Sequence, residues 1–131
     1  MYLVDTNIFI YALFDVDKSK QKKCIELLKN ASIGKIDLWT TEWVIAELVW
    51  FYAKQKIGWL ETKKVIESIL TSKGLVVRKS SCIWEIMENC TKHDELVDGI
   101  NMRLAIEENV GRGYSYDKGL DKWTGFERLE P

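Results

Sequence analysis

One proline, one histidine and three cysteines are spread over 131 residues, and each shortage excludes something. The proline is the last residue, so none marks a linker, and the chain has no repeat or low-complexity tract. A lone histidine, His93, leaves little material for a Ser–His–Asp triad or a His-rich zinc site. Cys24, Cys82 and Cys90 form no CxxC and are odd in number, which reads as free thiols in a reducing cytosol. The longest apolar stretch, Trp43 to Ala53, is interrupted by Glu47. It falls far short of the ~20 residues a membrane span needs. The start, MYLVDTN, lacks a basic leader and places Asp5 where a secretory signal is apolar, so none is expected. GxxxxGK[ST], GxGxxG and GxSxG are absent, which removes phosphate-loop, dinucleotide and nucleophile-elbow readings. The net charge of −1 argues against holding nucleic acid by bulk positive charge, while leaving room for a local basic patch.

What is present is a globular composition, 47% apolar and 30% charged. The length suits a single domain, 1–131, burying roughly two thirds of the surface its unfolded chain exposes. Short apolar runs at 2–4, 36–39, 75–78, 112–116 and 126–129 read as strands. Between them, helical periodicity covers 8–13, 18–31, 40–55 and 59–72. Two more helices follow, one capped by Ser80 or Ser81 and one running from about Asp94 to Asn109. Alternation of this kind implies an α/β fold with a parallel sheet covered on both faces. Sites in such sheets lie outside the carboxyl ends of the strands. Asp5 follows the first strand, and Asp117 follows the fourth.

Four carboxylates carry the functional argument. Glu47 has Trp43, Val44, Trp50 and Phe51 as its helical neighbours and no cation. Either one face of this apolar helix is exposed and Glu47 sits in water, or Glu47 faces a cleft and binds a cation. Asp98 lies mid-helix, again without Lys or Arg one turn away, and Asp is a poor interior helix former. Asp94 and Glu95 read as a solvated acidic first turn that suits the helix dipole. Taken singly, Asp5 is a good helix cap and Asp117 a good turn residue. Gathered in one cleft, the four would repel one another, and a hard divalent cation, Mg²⁺ or Mn²⁺, would remove the repulsion.

The motifs LVDTNIFIYAL, VIAELVW, ELVDGINMRLAIEENVG and YSYDKGLDKW, in that order over nearly the whole chain, resemble the PIN domain family. They are most similar to its small VapC-type toxin ribonucleases. The resemblance implies a PIN-like three-layer α/β fold, with a four- to five-stranded parallel sheet flanked by helices. It implies Mg²⁺- or Mn²⁺-dependent ribonuclease activity, with Asp5, Glu47, Asp98 and Asp117 as the catalytic, metal-holding acids. Thr6 and Asn7 match the second and third places of the first motif. Ser115 matches the hydroxyl residue two before the last acid. Asp121 matches a further acid of some members and reads here as lying behind the site or in solvent. The family's usual Ala after the third acid is Gly99.

By the same resemblance the partners are an RNA substrate, a cognate antitoxin with a segment in the cleft, and a second copy in a homodimer. The location would be cytoplasmic, without a membrane anchor. Competing readings are a non-catalytic PIN-like domain that binds RNA or protein, and a different metal-dependent phosphohydrolase. Lys54, Lys56, Lys63 and Lys64 form a basic cluster that could line the cleft. Trp39, Trp43, Trp50 and Trp84 read as core, and Trp59 and Trp123 as the tryptophans open to a partner.

Overall fold

In the computed structural model, which describes residues 1–131, the chain opens with β1 (Tyr2–Leu3), α1 (Thr6–Leu13) and α2 (Lys18–Ser32). β2 (Leu38–Thr40), α3 (Glu42–Lys54), α4 (Trp59–Leu70) and β3 (Leu75–Val77) follow. The remainder is α5 (Ser80–Glu88), α6 (Asp94–Glu107), β4 (Arg112–Tyr114), a short 3₁₀ helix at Lys118–Lys122, and β5 (Glu127–Leu129). Local chemistry sets many of these boundaries. The Asp17 side chain accepts the Lys20 N–H at 3.0 Å to start α2, and Thr41 accepts the Val44 N–H at 3.3 Å to start α3. α5 departs from the expected serine cap: its N-cap is Lys79, in the left-handed region at φ 58°, and Ser80 is already helical. Gly74, at φ 74°, is required twice over. A Cβ there would lie 2.0 Å from the Ala31 carbonyl oxygen, so the turn into β3 runs directly over the end of α2.

β1, β2 and β3 pair in parallel and in sequence order, with Leu38 beside both Tyr2 and Leu75. Right-handed crossovers between strands in this order put both connecting helix pairs on one face. That face holds the core, where Val4, Leu38, Leu75 and Val77 meet Phe9, Ile45, Leu48 and Ile66. α5 and α6 extend the same cluster through Ile83, Ile86, Met87, Leu96 and Ile100. Each fully buried Leu or Ile contributes on the order of 1.5–3 kcal/mol. On the opposite face, Leu3, Trp39 and Val76 stand in register across the three strands. Leu3 and Val76 are exposed, so the expected helical cover is lacking over this row.

The α/β class and the parallel pairing are as expected, but the five strands form two sheets. β4 pairs with β5, not with β1. The reason lies in how the last segment is anchored. Phe126 sits over Gly113, where a Cβ would meet its ring at 2.8 Å, and the Glu127 N–H bonds the Gly111 carbonyl at 2.8 Å. Trp123 packs on Gly99 of α6. The segment therefore docks on α6 and closes on itself. No helix is long and apolar enough to cross a membrane.

Candidate metal centre

Asp5 and Thr6 stand where β1 gives way to α1, at the carboxyl edge of the sheet. Asp5 holds the N-cap position of α1 with extended backbone angles, yet its side chain accepts no capping hydrogen bond. The cap therefore makes no use of the carboxylate, which is left exposed. Thr6 is buried, and its hydroxyl donates to Oε2 of Glu47, tying the first turn of α1 to the middle of α3. Asn7 is exposed beside them.

α3 answers the question its apolar sequence posed about Glu47. Glu42, Val44, Ile45, Ala46, Leu48, Val49 and Tyr52 are buried, which leaves Trp43, Glu47, Trp50 and Lys54 as a solvent-facing stripe at helical spacing. Glu47 is thus on the exposed face, and its hydrogen bond to Thr6 directs it toward Asp5's end of the sheet. Trp43 and Trp50 are 53% and 60% exposed, whereas Trp59 is buried and Trp123 half-buried. This reverses the expectation for Trp43, Trp50 and Trp59 and meets it only in part for Trp123, and Trp84, expected in the core, is exposed as well. The signal was in the spacing: residues four before and three after Glu47 must share whatever face Glu47 takes.

The other two acids come from the C-terminal third. Asp98 is half-buried in α6. Burial, and then the nearby charges of Asp117, Asp94 and Glu95, push its carboxyl above the usual aspartate range. Asp117 is exposed and caps the 3₁₀ helix, its Oδ1 accepting the Gly119 N–H at 2.9 Å. Ser115 Oγ accepts the Asp117 N–H at 3.0 Å, which fixes the turn. Asp121 belongs elsewhere: Arg128 Nε and Nη2 donate to its two oxygens at 2.8 and 3.3 Å.

What brings this segment to α6 is packing that the sequence did not reveal. A Cβ on Gly99 would meet Ile86 Cγ2 at 2.3 Å and the Trp123 ring at 2.8 Å. The departure from the usual Ala thus makes room for an indole one residue after Asp98. Beside it, Lys122 donates to the Asn89 carbonyl at 2.6 Å and to Glu95, which is buried and also bonded by Thr91. Burial raises the Glu95 carboxyl, but the bonds from Lys122 and Thr91 outweigh it and hold it below its ordinary range. Glu95 is therefore an anchor for the C-terminal segment, not a solvated first-turn acid. Asp94, exposed at the start of α6, keeps that role.

Two links join the candidate residues: the Thr6 hydroxyl ties the turn that follows Asp5 to Glu47, and the Asp117 charge acts on Asp98. No three His, Cys, Asp or Glu side chains come close enough together to hold a metal ion. The donor chemistry nonetheless fits a hard divalent cation, since the four acids offer only oxygen. A divalent ion held there would offset the repulsion between the half-buried Asp98 and its like-charged neighbour. The expected basic cluster divides: Lys54 and Lys56 are exposed beyond Trp50, whereas Lys63 lies 3.8 Å from both Glu67 and Glu88. A family model for the PIN domain matches residues 2–123. No curated protein matches the chain.

Proposed function

The chain belongs to the PIN domain family, whose members are generally metal-dependent nucleases that bind RNA, and from that membership we propose that it is a Mg²⁺- or Mn²⁺-dependent endoribonuclease. We read it as a single-domain cytoplasmic enzyme and the toxin of a type II toxin–antitoxin pair. Its partners in that reading are a second copy and an antitoxin whose segment enters the cleft. The observation that carries the nuclease reading is the Asp98–Asp117 pair. A half-buried acid whose carboxyl is lifted first by burial and then by the charge of Asp117, at a motif the family match covers, supports a site that takes a cation.

In this reading Asp98 and Asp117 would hold the ion, and Asp5 and Glu47 would complete an all-oxygen donor set. Bound there, a divalent ion supplies a more acidic water and offsets charge on the phosphate. The protein's own part is orientation. The Thr6 hydroxyl points Glu47, and Ser115 with the Gly119 N–H holds the turn that carries Asp117. His93 takes no part, because its Nε2 lies 3.0 Å from the Thr62 hydroxyl and its ring packs edge-on against the buried Trp59. Hydrolysis by water leaves a 5′-phosphate on one product and survives removal of the 2′-hydroxyl at the scissile position.

One observation favours a second reading, a non-catalytic PIN domain that binds RNA or protein: no three of the acids stand close enough together to hold an ion. The test is RNA cleavage with Mg²⁺ or Mn²⁺ by antitoxin-free protein, comparing wild type with Asp5→Ala and Asp98→Asn. Metal-dependent cleavage lost in both variants supports the enzyme. Cleavage undiminished in both removes the assigned site, and no cleavage by wild type on varied RNAs favours the second reading.

A further inference from the structure

Trp43, Glu47, Trp50 and Lys54 occupy one exposed stripe of α3, and the two indoles bracket the acid by about one turn on each side. Large aromatic side chains usually bury most of their surface, and here two of the six tryptophans leave more than half exposed within reach of the same carboxylate. Lys54 Nζ sits 3.6 Å from the centre of the Trp50 ring, which places a cation at the end of the stripe, and Lys56 stands exposed just beyond. Aromatic faces in series with a cation beside them are what unpaired nucleotides need: a surface for each base and a charge for the phosphate.

We propose that Trp43 and Trp50 are base-stacking residues that seat an unpaired RNA strand along α3, with Glu47 between them facing the backbone. The inference rests on the ribonuclease reading for the identity of the strand. Seven residues separate the two indoles, or about 10 Å along the helix axis, so the bases they receive flank the backbone opposite Glu47. A base inside a duplex has both faces stacked and cannot occupy either ring, so the platform discriminates against paired RNA. A second copy of the chain is the competing occupant. It fits the stripe poorly, because covering the indoles would also bury Glu47, whose only side-chain partner is Thr6, at a desolvation cost that a hydrated single strand avoids.

The test separates binding from cleavage. A random-sequence single-stranded RNA of about 12 nucleotides, within the usual 4–16 nucleotide span of single-strand sites, is titrated in EDTA while tryptophan fluorescence is followed. Duplex RNA of the same length is the comparison. Wild type binds the single strand more tightly than the duplex, with quenching. Trp43→Ala and Trp50→Ala each weaken binding by about 5- to 150-fold, and Trp→Phe at either place restores most of it. With Mg²⁺, the loss of cleavage is carried mainly in KM. Both side chains are exposed, so the variants keep the wild-type melting temperature, and circular dichroism checks this. Equal single-strand affinity in wild type and the double Ala variant overturns the inference, as does a wild-type dimer that the Ala variants dissociate. Trp-dependent binding without cleavage keeps the platform and removes the ribonuclease. Cleavage with Trp-independent binding does the reverse, and a wild type that neither binds nor cleaves RNA removes both.

Discussion

On the N-terminal side of the site, Glu47 is open to solvent and one of its oxygens is already taken by the Thr6 hydroxyl. On the C-terminal side, Asp98 is half-buried, and burial and the Asp117 charge push its carboxyl up. The two sides also differ in what holds them in place. Asp5, Thr6 and Glu47 ride on α1 and α3, whose inner faces are part of the main core through Phe9, Ile45, Leu48 and Val49. Asp117 rides on a short 3₁₀ turn, held to α6 by Trp123 against Gly99 and Lys122 against Glu95. One side is preorganised by the core. The other depends on the docking of a single segment, and it is the side where one acid is half-buried near another.

This contrast makes Asp98→Asn the most damaging of the substitutions at the site. It removes the half-buried acid, whose charge is opposed by burial and by Asp117, and the fall in cleavage should exceed the 10–100-fold typical of residues that only orient metal ligands. Folding should hold or improve, since a half-buried charge is removed. A gel cleavage assay beside thermal melting checks both halves. Thr6→Val comes next. It deletes the hydroxyl that points Glu47 at almost constant volume, and a loss of about 10–100-fold is expected, with Thr6→Ser restoring most of it. If Thr6→Val costs as much as Asp98→Asn, the N-terminal side is as exposed to loss as the C-terminal one, and the comparison fails.

Gly99→Ala tests the docking directly. Helix propensity alone favours Ala by up to ~1 kcal/mol. Against that, the added Cβ would stand 2.3 Å from Ile86 and 2.8 Å from the Trp123 ring, and overpacking of this kind costs about 1–3 kcal/mol. The net expectation is a small loss of stability with a larger loss of cleavage, because the ring that must move carries the turn bearing Asp117. Urea denaturation and the cleavage assay measured together separate the two. Acid acts on the same joint through Glu95. Its carboxyl is held low in the folded protein, so its contribution is complete above the ordinary glutamate value of about 4.3 and is lost as pH falls through the lowered one. Glu95→Gln should therefore flatten the acid limb of stability against pH, by less than the Gly99→Ala effect at neutral pH.

Much of this architecture was legible in the sequence. Every helix and strand lies close to where periodicity puts it, because apolar spacing and cap residues act locally. Three features were not legible, and each depends on what a residue meets across the fold. Helix α3 looks buried on all sides, yet Glu47 and both flanking tryptophans face solvent. Gly99 looks like a mild weakening of a helix, but it is the space an indole occupies. The expected single sheet divides because Phe126, Trp123 and Lys122 tie the last strands to each other and to α6, leaving β1 with one neighbour. The charge of Asp117 beside Asp98 has the same origin, since no local signal reports where a docked segment comes to rest.

The smallest expected effect sharpens the comparison most. Asp121 is four residues from Asp117, equally exposed, and on the same 3₁₀ turn, so proximity alone would admit it to the donor set. Its two oxygens are instead engaged by Arg128, whose hydrogen bonds hold the Asp121 carboxyl below the usual aspartate range. An acid satisfied by a guanidinium has no repulsion for a cation to relieve, and displacing Arg128 would free a charge that also bonds Glu130 and the Ser115 carbonyl. Asp121→Asn should therefore change the metal-dependent cleavage rate by less than about twofold, as surface substitutions usually do. Asp117→Asn, in the same turn, should lose it. A rate for Asp121→Asn as low as that for Asp117→Asn would mean that the Arg128 pair opens in the working enzyme. Engagement by a basic side chain would then no longer distinguish Asp121 from the acids that bind the ion.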